Sequence, residues 1–332
     1  MTISITRRAI AHIVRSFAYF LWTIDFCASF KTIFYVLFMV YAGILFAISR
    51  ADLGDVMNGA LMSVNYIQPV QTSYQNIYPL KIGGQDRPNI SSIAAAVYDR
   101  GSGKILYSKS PDIRLAPAST TKLMTALVAL ELYTSDEIVT VPYFCTNVDS
   151  TKAWLPAEEK FKAQDLITTM LIGSAGDAAC ALATSKVSYS EFVGKMNEKA
   201  KELGMKNTNF VNPIGLDGFK GVHYSTVSDL YALALVALSN DVVKNTVSTI
   251  EFTIKSLSSD FSYKVTNTNR LLWEIPGSVG IKTGTTVGAG EVLMYEWKDD
   301  KRDLVIIVMG SEDRFRDTKI LLDWSLENYV WD

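Results

Sequence analysis

The feature that most constrains this chain is an uncharged apolar run at residues 32–48. A run of this length is about the shortest that crosses the hydrocarbon core of a bilayer as a helix. Basic residues precede it and acidic residues follow it: Arg7, Arg8, Arg15 and Lys31, then Asp52 and Asp55. Because positive charge stays on the cytoplasmic side, we predict a single-pass anchor in the cytoplasmic membrane, with everything beyond Arg50 outside. A cleaved signal peptide ending near residues 47–49 is the alternative, and it exports the same domain.

The apolar run divides the chain into a membrane part and a folded part. We predict a basic cytoplasmic tail with an interfacial stretch at residues 1–31, and an anchor in the lipid bilayer at residues 32–48. A spacer with little periodicity follows at residues 49–88, and residues 89–332 form the folded domain. The formal net charge is only -2, from 32 Lys and Arg against 34 Asp and Glu, so we expect no nucleic-acid partner.

Cysteine and histidine are too scarce for several common kinds of site. Cys27, Cys145 and Cys180 contain no C-x-x-C pair, so we predict separate thiols, with a Cys145–Cys180 disulfide as the less favoured alternative. Beyond His12 in the tail, the one imidazole is that of His223. We therefore expect no metal and no cofactor, and a hydrolase of this composition would activate its nucleophile without a histidine.

The hydrophobic periodicity of the folded part places strands at both ends and helices between them. We predict strands at residues 92–98, 104–107, 249–254, 278–283, 291–297 and 304–309. We predict helices at residues 120–133, 164–172, 177–185, 191–203, 228–238 and 316–329. This order indicates an α+β fold, in which helices pack against an antiparallel sheet.

Ser119 and Lys122 begin the first long predicted helix and are spaced three residues apart. On a helix they share one face, and the positive end of the helix dipole favours an alkoxide on the serine. A lysine whose pKa is lowered would take the proton of that serine. The alternative is a helix-capping serine followed by a solvated lysine, although capping boxes favour Glu or Gln at the third position.

Two further motifs follow along the chain. Lys282, Thr283 and Gly284 end a predicted strand, so Lys282 and Gly284 face one side and Thr283 the other. We expect the glycine to let a substrate approach the strand closely, and a plain strand end is the alternative. Ser174 precedes another predicted helix and would relay a proton, whereas Ser-x-x-Asp is also a capping pattern.

Taken together, S-x-x-K, a helix-opening serine and K-T-G occur in the order found in penicillin-binding proteins and serine β-lactamases. From residue 93 to residue 324 the chain resembles the D-alanyl-D-alanine carboxypeptidase family of low-molecular-weight penicillin-binding proteins. The segments that carry the resemblance are residues 115–126, 212–217, 223–226, 267–272 and 280–286. The resemblance implies an α/β sandwich of the β-lactamase/transpeptidase type with a helical subdomain.

The resemblance also implies a role for each motif residue. Ser119 would be the nucleophile and Lys122 its base, and Ser174 and Lys282 would carry the proton relay and substrate contacts. The substrate-binding strand would be formed by Lys282, Thr283, Gly284 and Thr285. Thr283 would help to bind the substrate carboxylate, and the backbone N–H groups of Ser119 and Thr285 would form the oxyanion hole. Either Arg314 or Arg316 would add a cation for that carboxylate.

The implied partners are peptidoglycan stem peptides that end in D-Ala-D-Ala, and β-lactam antibiotics. Many family members carry an additional β domain and a C-terminal amphipathic anchor; we expect this chain to lack both and to use its N-terminal helix for anchoring. A D,D-endopeptidase with the same residues is an open alternative. A class A β-lactamase is disfavoured, because no E-x-x-L-N segment follows Ser174.

One residue departs from the family pattern. The second family motif is S-x-N, and the third position here is Gly176. This departure leaves open a non-catalytic module that binds peptidoglycan or a partner. If the enzyme is active, we expect Gly176→Asn to raise turnover or to change the preferred peptide, unless a neighbour such as Asn147 or Asn212 already replaces the amide.

Overall fold

The computed structural model describes residues 39–40, 79–84, 86–218 and 222–331. The predicted tail and anchor lie outside the described residues, apart from Met39 and Val40, which are helical. Over the described part of the chain, there is no helix whose length and apolar character suit a membrane crossing. Residues Gln75–Asp332 form one compact unit.

The strands and helices of this unit are named here in chain order. The strands are β1 (Leu80–Lys81), β2 (Ala94–Asp99), β3 (Ile105–Lys109), β4 (Ile138–Thr140), β5 (Lys160–Lys162), β6 (Glu251–Lys255), β7 (Ser262–Thr266), β8 (Ser278–Thr286), β9 (Gly290–Lys298), β10 (Asp303–Ser311) and β11 (Tyr329–Val330). The helices are α1 (Thr121–Leu132), α2 (Ala163–Ile172), α3 (Gly176–Thr184), α4 (Tyr189–Glu202), α5 (Val227–Ser239), α6 (Asp241–Val247), α7 (Leu271–Glu274) and α8 (Arg314–Asn328). Single turns of 3-10 helix lie at Ala118–Thr120 and Tyr143–Asn147.

The main sheet is antiparallel and five-stranded, in the order β3-β2-β10-β9-β8. The side chains of its central strand β10 point alternately into two hydrophobic cores, because successive residues of a strand face opposite sides of the sheet. Leu304, Ile306 and Val308 pack with α8, whereas Val305 and Ile307 pack with the helical block. Strand β8, which carries the K-T-G residues, is the edge strand beside the helical block. The predicted α+β arrangement of an antiparallel sheet flanked by helices is confirmed.

Several short elements were not predicted. Helix α6 begins immediately after α5, where the Asn240 side chain accepts the N–H groups of Val242 and Val243. Strand β7 pairs with β6, and β4 pairs with β5. Strand β1 lies within the segment interpreted as a spacer and pairs with β11. These elements are short and mostly half-exposed, so their hydrophobic pattern is weak.

The prediction of separate thiols for Cys145 and Cys180 is wrong, because the two residues form a disulfide. The bond joins the 3-10 turn Tyr143–Asn147 to the middle of α3. Its partners are 35 residues apart in sequence. No local pattern indicates this pairing, since only the packing of the turn on α3 brings the sulfur atoms together.

Candidate active site

Ser119 and Lys122 lie at the junction between the 3-10 turn Ala118–Thr120 and helix α1. The Lys122 Nζ donates hydrogen bonds to Ser119 Oγ at 2.9 Å and to the carbonyl oxygen of Ile214 at 2.5 Å. Ser119 does not cap the helix, whose N-cap is Thr120 and which has no side-chain cap. Lys122 is fully buried, whereas Ser119 is half-buried. The capping and surface interpretations of this motif are therefore wrong, and a substrate can reach the serine while its partner lysine stays shielded.

Burial lowers the pKa of Lys122 to about 7, although the nearby Asp177 carboxylate partly opposes this by raising it. Loss of hydration disfavours an ammonium, so near neutral pH a substantial fraction of Lys122 is the free amine. A neutral amine 2.9 Å from a hydroxyl is able to accept its proton.

Lys282 is the second buried lysine, on the edge strand β8. Its Nζ lies 3.3 Å from the carbonyl oxygen of Thr283. Burial lowers its pKa well below the ordinary value, and the positive charges of Lys122 and Arg314 lower it further. The Thr283 side chain points to the opposite face, where its Oγ1 lies 2.5 Å from Oγ1 of Thr268. The expected alternation of Lys282 and Thr283 is thus present.

Gly284 lets strand β8 approach the nucleophile segment closely. A Cβ on Gly284 would lie 2.8 Å from both Ala118 Cβ and Ser119 N. Gly215 contacts the same segment from another side, with φ +90°, and a Cβ there would lie 2.0 Å from the Ala118 carbonyl oxygen. The structure thus gives Gly284 a reason that was not predicted: its missing side chain brings β8 against the backbone of Ser119.

Arg314 and Arg316 are distinguished by their positions. The Arg314 Nη1 donates to the Gly284 carbonyl oxygen at 2.6 Å and to Thr285 Oγ1 at 2.5 Å. Its backbone N–H donates to Glu291 Oε2 at 2.9 Å. Arg316 is exposed in the first turn of α8. Arg314 is thus the arginine at the end of the K-T-G strand.

Ser174 is buried and has a φ of +57°, immediately before the N-cap residue of α3, which is Ala175. Helix α3 has no side-chain cap, so the capping interpretation of Ser174 is wrong. Ala118, next to Ser119, also has a positive φ of +50°. Residues with side chains cost about 1–3 kcal/mol in such conformations, and strain of this kind concentrates at functional sites.

Asp177 has a structural role beside the site that the sequence interpretation missed. It is fully buried, and its Oδ1 and Oδ2 accept the N–H groups of Ala153 and Leu155, each at 3.1 Å. The two bonds flank Trp154, which is exposed and has a φ of +56°. In the sequence, Asp177 looked like a capping residue, and nothing local indicated its partners.

Asn212 positions the carbonyl group that Lys122 contacts. Its Oδ1 accepts the N–H groups of Ile214, Gly215 and Leu216 at 3.2, 2.7 and 3.0 Å. This ring of bonds fixes the turn and aims the Ile214 carbonyl at Lys122 Nζ. The amide of Asn212 is therefore committed to the turn.

His223 contacts Thr121, the first residue of α1, and forms no hydrogen bond with Ser119. The Val211 N–H donates to His223 Nδ1 at 3.0 Å, so Nε2 carries the ring hydrogen and donates to Thr121 Oγ1 at 2.9 Å. Burial lowers the pKa of His223 to about 4, which keeps the ring neutral. Within the described residues, no group of three His, Cys, Asp or Glu side chains is arranged to hold a metal ion.

Comparison with known proteins identifies the family. The sequence profile of the D-alanyl-D-alanine carboxypeptidases, Peptidase_S11, matches residues 82–313. The chain belongs to the D-alanyl-D-alanine carboxypeptidase family. The resemblance predicted from the three motifs is therefore confirmed, and the chain is a serine-type D-Ala-D-Ala carboxypeptidase by class.

Individual relatives agree with this assignment. A D-alanyl-D-alanine carboxypeptidase of Bacillus subtilis is 32% identical over 266 residues, covering 76% of this carboxypeptidase and 67% of the relative. A D-alanyl-D-alanine endopeptidase of Escherichia coli is 30% identical over 246 residues, covering 72% and 78%. The crystal structure of the Streptomyces K15 DD-transpeptidase matches 73% of this chain and 100% of its own, with a TM-score of 0.69 and 28% identity. The β-lactamase/transpeptidase fold is thereby confirmed.

Proposed function

We infer that this carboxypeptidase removes the terminal D-alanine of peptidoglycan stem peptides through an acyl-enzyme on Ser119. The observation that carries this inference is the 2.9 Å hydrogen bond from the buried Lys122 Nζ to Ser119 Oγ. With a lysine pKa of about 7, a substantial fraction of the base is available as the free amine at neutral pH.

In the acylation step, Lys122 takes the proton of Ser119 as Oγ bonds to the carbonyl carbon of the penultimate D-alanine. The C–N bond then breaks, and the proton held by Lys122 passes through Ser174 and Lys282 to the departing amine, which leaves Lys122 as the free amine again. Free D-alanine leaves. In deacylation, Lys122 removes a proton from water as the water oxygen attacks the ester carbon. The bond from that carbon to Ser119 Oγ then breaks, Oγ receives the proton back from Lys122, and the shortened peptide leaves.

Strand β8 supplies the substrate contacts in this scheme. The backbone N–H groups of Ser119 and Thr285 stabilise the developing oxyanion, an effect typically worth about 3 kcal/mol. Thr283 and Thr285 bind the terminal carboxylate. Arg314 places a positive charge near that carboxylate, because its guanidinium donates a hydrogen bond to Thr285 Oγ1.

A D,D-endopeptidase that cuts cross-linked peptides with the same residues is the second candidate. Its support is the Escherichia coli endopeptidase, which is 30% identical over 246 residues. Purified cross-linked and uncross-linked muropeptides, offered separately, would distinguish the two activities by their products.

The direct test is labelling with a fluorescent penicillin, because a β-lactam acylates the serine that attacks D-Ala-D-Ala in this mechanism. Mass spectrometry of the digested adduct should locate the label on the peptide containing Ser119, and Ser119→Ala should abolish it. A label on another serine, or no label at saturating drug, would refute the mechanism. The alternative of a non-catalytic module, which Gly176 leaves open, predicts no label at saturating drug.

The proposal includes a location outside the cytoplasmic membrane, with an anchor at residues 32–48. The Cys145–Cys180 disulfide supports this location, since disulfides persist in oxidising compartments. Protease added to intact spheroplasts should digest the domain. Protection until lysis would reverse the proposed topology.

A further inference from the structure

Residue 176, in the first turn of α3, has no side chain, yet the space beside it is filled. A Cβ on Gly176 would lie 2.7 Å from both Cβ and Oγ of Ser150, and 3.2 Å from Cγ2 of Ile214. Real Cβ atoms essentially never approach other atoms within 3.0 Å. Ser150, from a separate segment, therefore occupies the volume into which a side chain at residue 176 would extend.

The segment that carries Ser150 is fastened to α3 by several bonds. The Gly176 N–H donates to the Thr151 carbonyl oxygen at 2.7 Å, immediately after Ser150. The Asp177 carboxylate accepts the N–H groups of Ala153 and Leu155. The disulfide at Cys145 attaches the preceding turn to the same helix. These hydrogen bonds and the disulfide therefore hold the backbone of the Ser150 segment in a fixed position beside α3.

The surroundings of Ser150 belong to the active site. Ile214, whose side chain borders the same space, provides the carbonyl oxygen that accepts a hydrogen bond from Lys122 Nζ. Ser174 lies two residues before Gly176. Gly176 itself is buried, whereas Ser150 is partly exposed, so its hydroxyl lies at the border between the packed site and solvent.

We propose that Ser150 is a specificity-determining residue, whose hydroxyl contacts the backbone of the stem peptide. The hydroxyl lies near Ser174, in the space that a side chain at residue 176 would otherwise fill. The proposal rests on the proposed peptidase function. It also revises the expectation for Gly176→Asn: the amide has no room while Ser150 is present. An asparagine side chain at residue 176 becomes compatible with the site only when residue 150 is changed to glycine.

The test is a double-mutant cycle with Ser150→Gly, Gly176→Asn and the double variant, together with Ser150→Ala. Exposed Ser190 on α4 provides the matched control, Ser190→Ala. The measurements are kcat/KM on a D-Ala-D-Ala peptide, the rate of penicillin acylation, and Tm. A cycle is suitable because residues in contact give non-additive effects.

We expect Ser150→Ala to lower kcat/KM about three- to ten-fold, the value of one hydrogen bond, without changing Tm. Ser190→Ala should change neither quantity. Gly176→Asn should lower Tm by several degrees in the native background and leave Tm unchanged when combined with Ser150→Gly. The double variant should recover kcat/KM to within about three-fold of the native enzyme, because its amide then serves the substrate.

Full turnover by Ser150→Ala would overturn the proposed role. Additive effects of the two substitutions on both Tm and kcat/KM would overturn the shared space. If the native enzyme is not acylated by penicillin and cleaves no peptide, the peptidase function fails and the role of Ser150 in turnover fails with it. The Tm cycle would still report whether residues 150 and 176 compete for one volume.

Discussion

Two of the regions that bury charged groups differ in their capacity for chemistry. The cationic cluster, formed by Lys122, Lys282 and Arg314, lies beside Ser119. The acidic cluster, formed by Glu296 and Asp303 with Arg100, lies toward the other end of β9 and β10. Burial shifts the pKa of a lysine to about 7 in the first cluster and that of Glu296 from 4.5 to about 7 in the second.

The difference lies in what each shifted group touches. Lys122 contacts a half-exposed hydroxyl that a substrate can reach. Glu296 contacts Arg100 at 3.0 Å, and its other oxygen is buried without a hydrogen-bond partner among the described residues. A shifted pKa therefore indicates burial of a charge, and a reactive partner within hydrogen-bond distance is the additional requirement for catalysis.

The strongest challenge to this distinction is to remove the base from the cationic cluster. Lys122→Met should lower kcat/KM and penicillin acylation by roughly 10²–10⁴-fold, the usual contribution of a general base. The domain should still fold, because Met fills a similar volume without a buried charge. Circular dichroism with penicillin stopped-flow kinetics would measure both, with Lys195→Met on α4 as the control. Near-native acylation by Lys122→Met would remove this lysine from the mechanism.

The pH dependence of acylation should also distinguish the two clusters. Lys122 acts as the free amine, so the acylation rate should rise with pH through about 7 and then level off. Between pH 5 and pH 8 the increase should be about a hundred-fold, since two pH units below a pKa leave about one base in a hundred deprotonated. A profile that is flat from pH 5 to pH 8 would contradict the assignment. The same profile measured on Glu296→Gln should be unchanged.

Substitution of Gly284 tests whether the close approach of β8 to Ser119 matters. Gly284→Ala would place a methyl group 2.8 Å from Ser119 N, so the strand or the 3-10 turn must move. We expect kcat/KM to fall about ten- to a hundred-fold, because small displacements of reacting groups are costly. Gly194→Ala on α4 is the control, since a Cβ there meets no atom within 4 Å. Equal activity of the two variants would show that β8 can move away from Ser119 without loss of function.

The smallest expected effect belongs to the acidic cluster. Between pH 4.5 and about 7 the folded protein binds more protons at Glu296 than the unfolded chain does, so stability falls as pH rises. Glu296→Gln mimics the protonated side chain and should be more stable than the native protein at pH 8 by on the order of 1–2 kcal/mol. This corresponds to a few degrees in Tm, with no difference at pH 4. A lower Tm at pH 8 would mean that the Arg100 ion pair outweighs burial.

The motif residues could be found from the sequence because their spacing is local. Ser119 and Lys122 share a helical face, and Lys282 and Thr283 alternate along a strand. The long elements of the domain were also predictable, since each shows a sustained hydrophobic period. These two kinds of regularity were sufficient for the α+β fold and for the family.

The remaining features depend on contacts between distant segments, which no local pattern encodes. The Asp177 carboxylate binds N–H groups more than twenty residues earlier in the chain. The reason for Gly284 is visible only when Ala118 lies against it. The disulfide and the contact between Ser150 and Gly176 have the same origin. In each case the two partners are distant in sequence, so only the folded structure shows that they meet.

The close packing of Ser150 against Gly176 has a consequence for how this enzyme can evolve. A mutation that first introduces asparagine at residue 176 produces a collision, and one that first removes the Ser150 side chain opens a gap. Each single step therefore passes through a less fit intermediate, so the two positions are epistatic. A lineage with this pair is expected to keep it, and residues 150 and 176 should be exchanged together among its descendants.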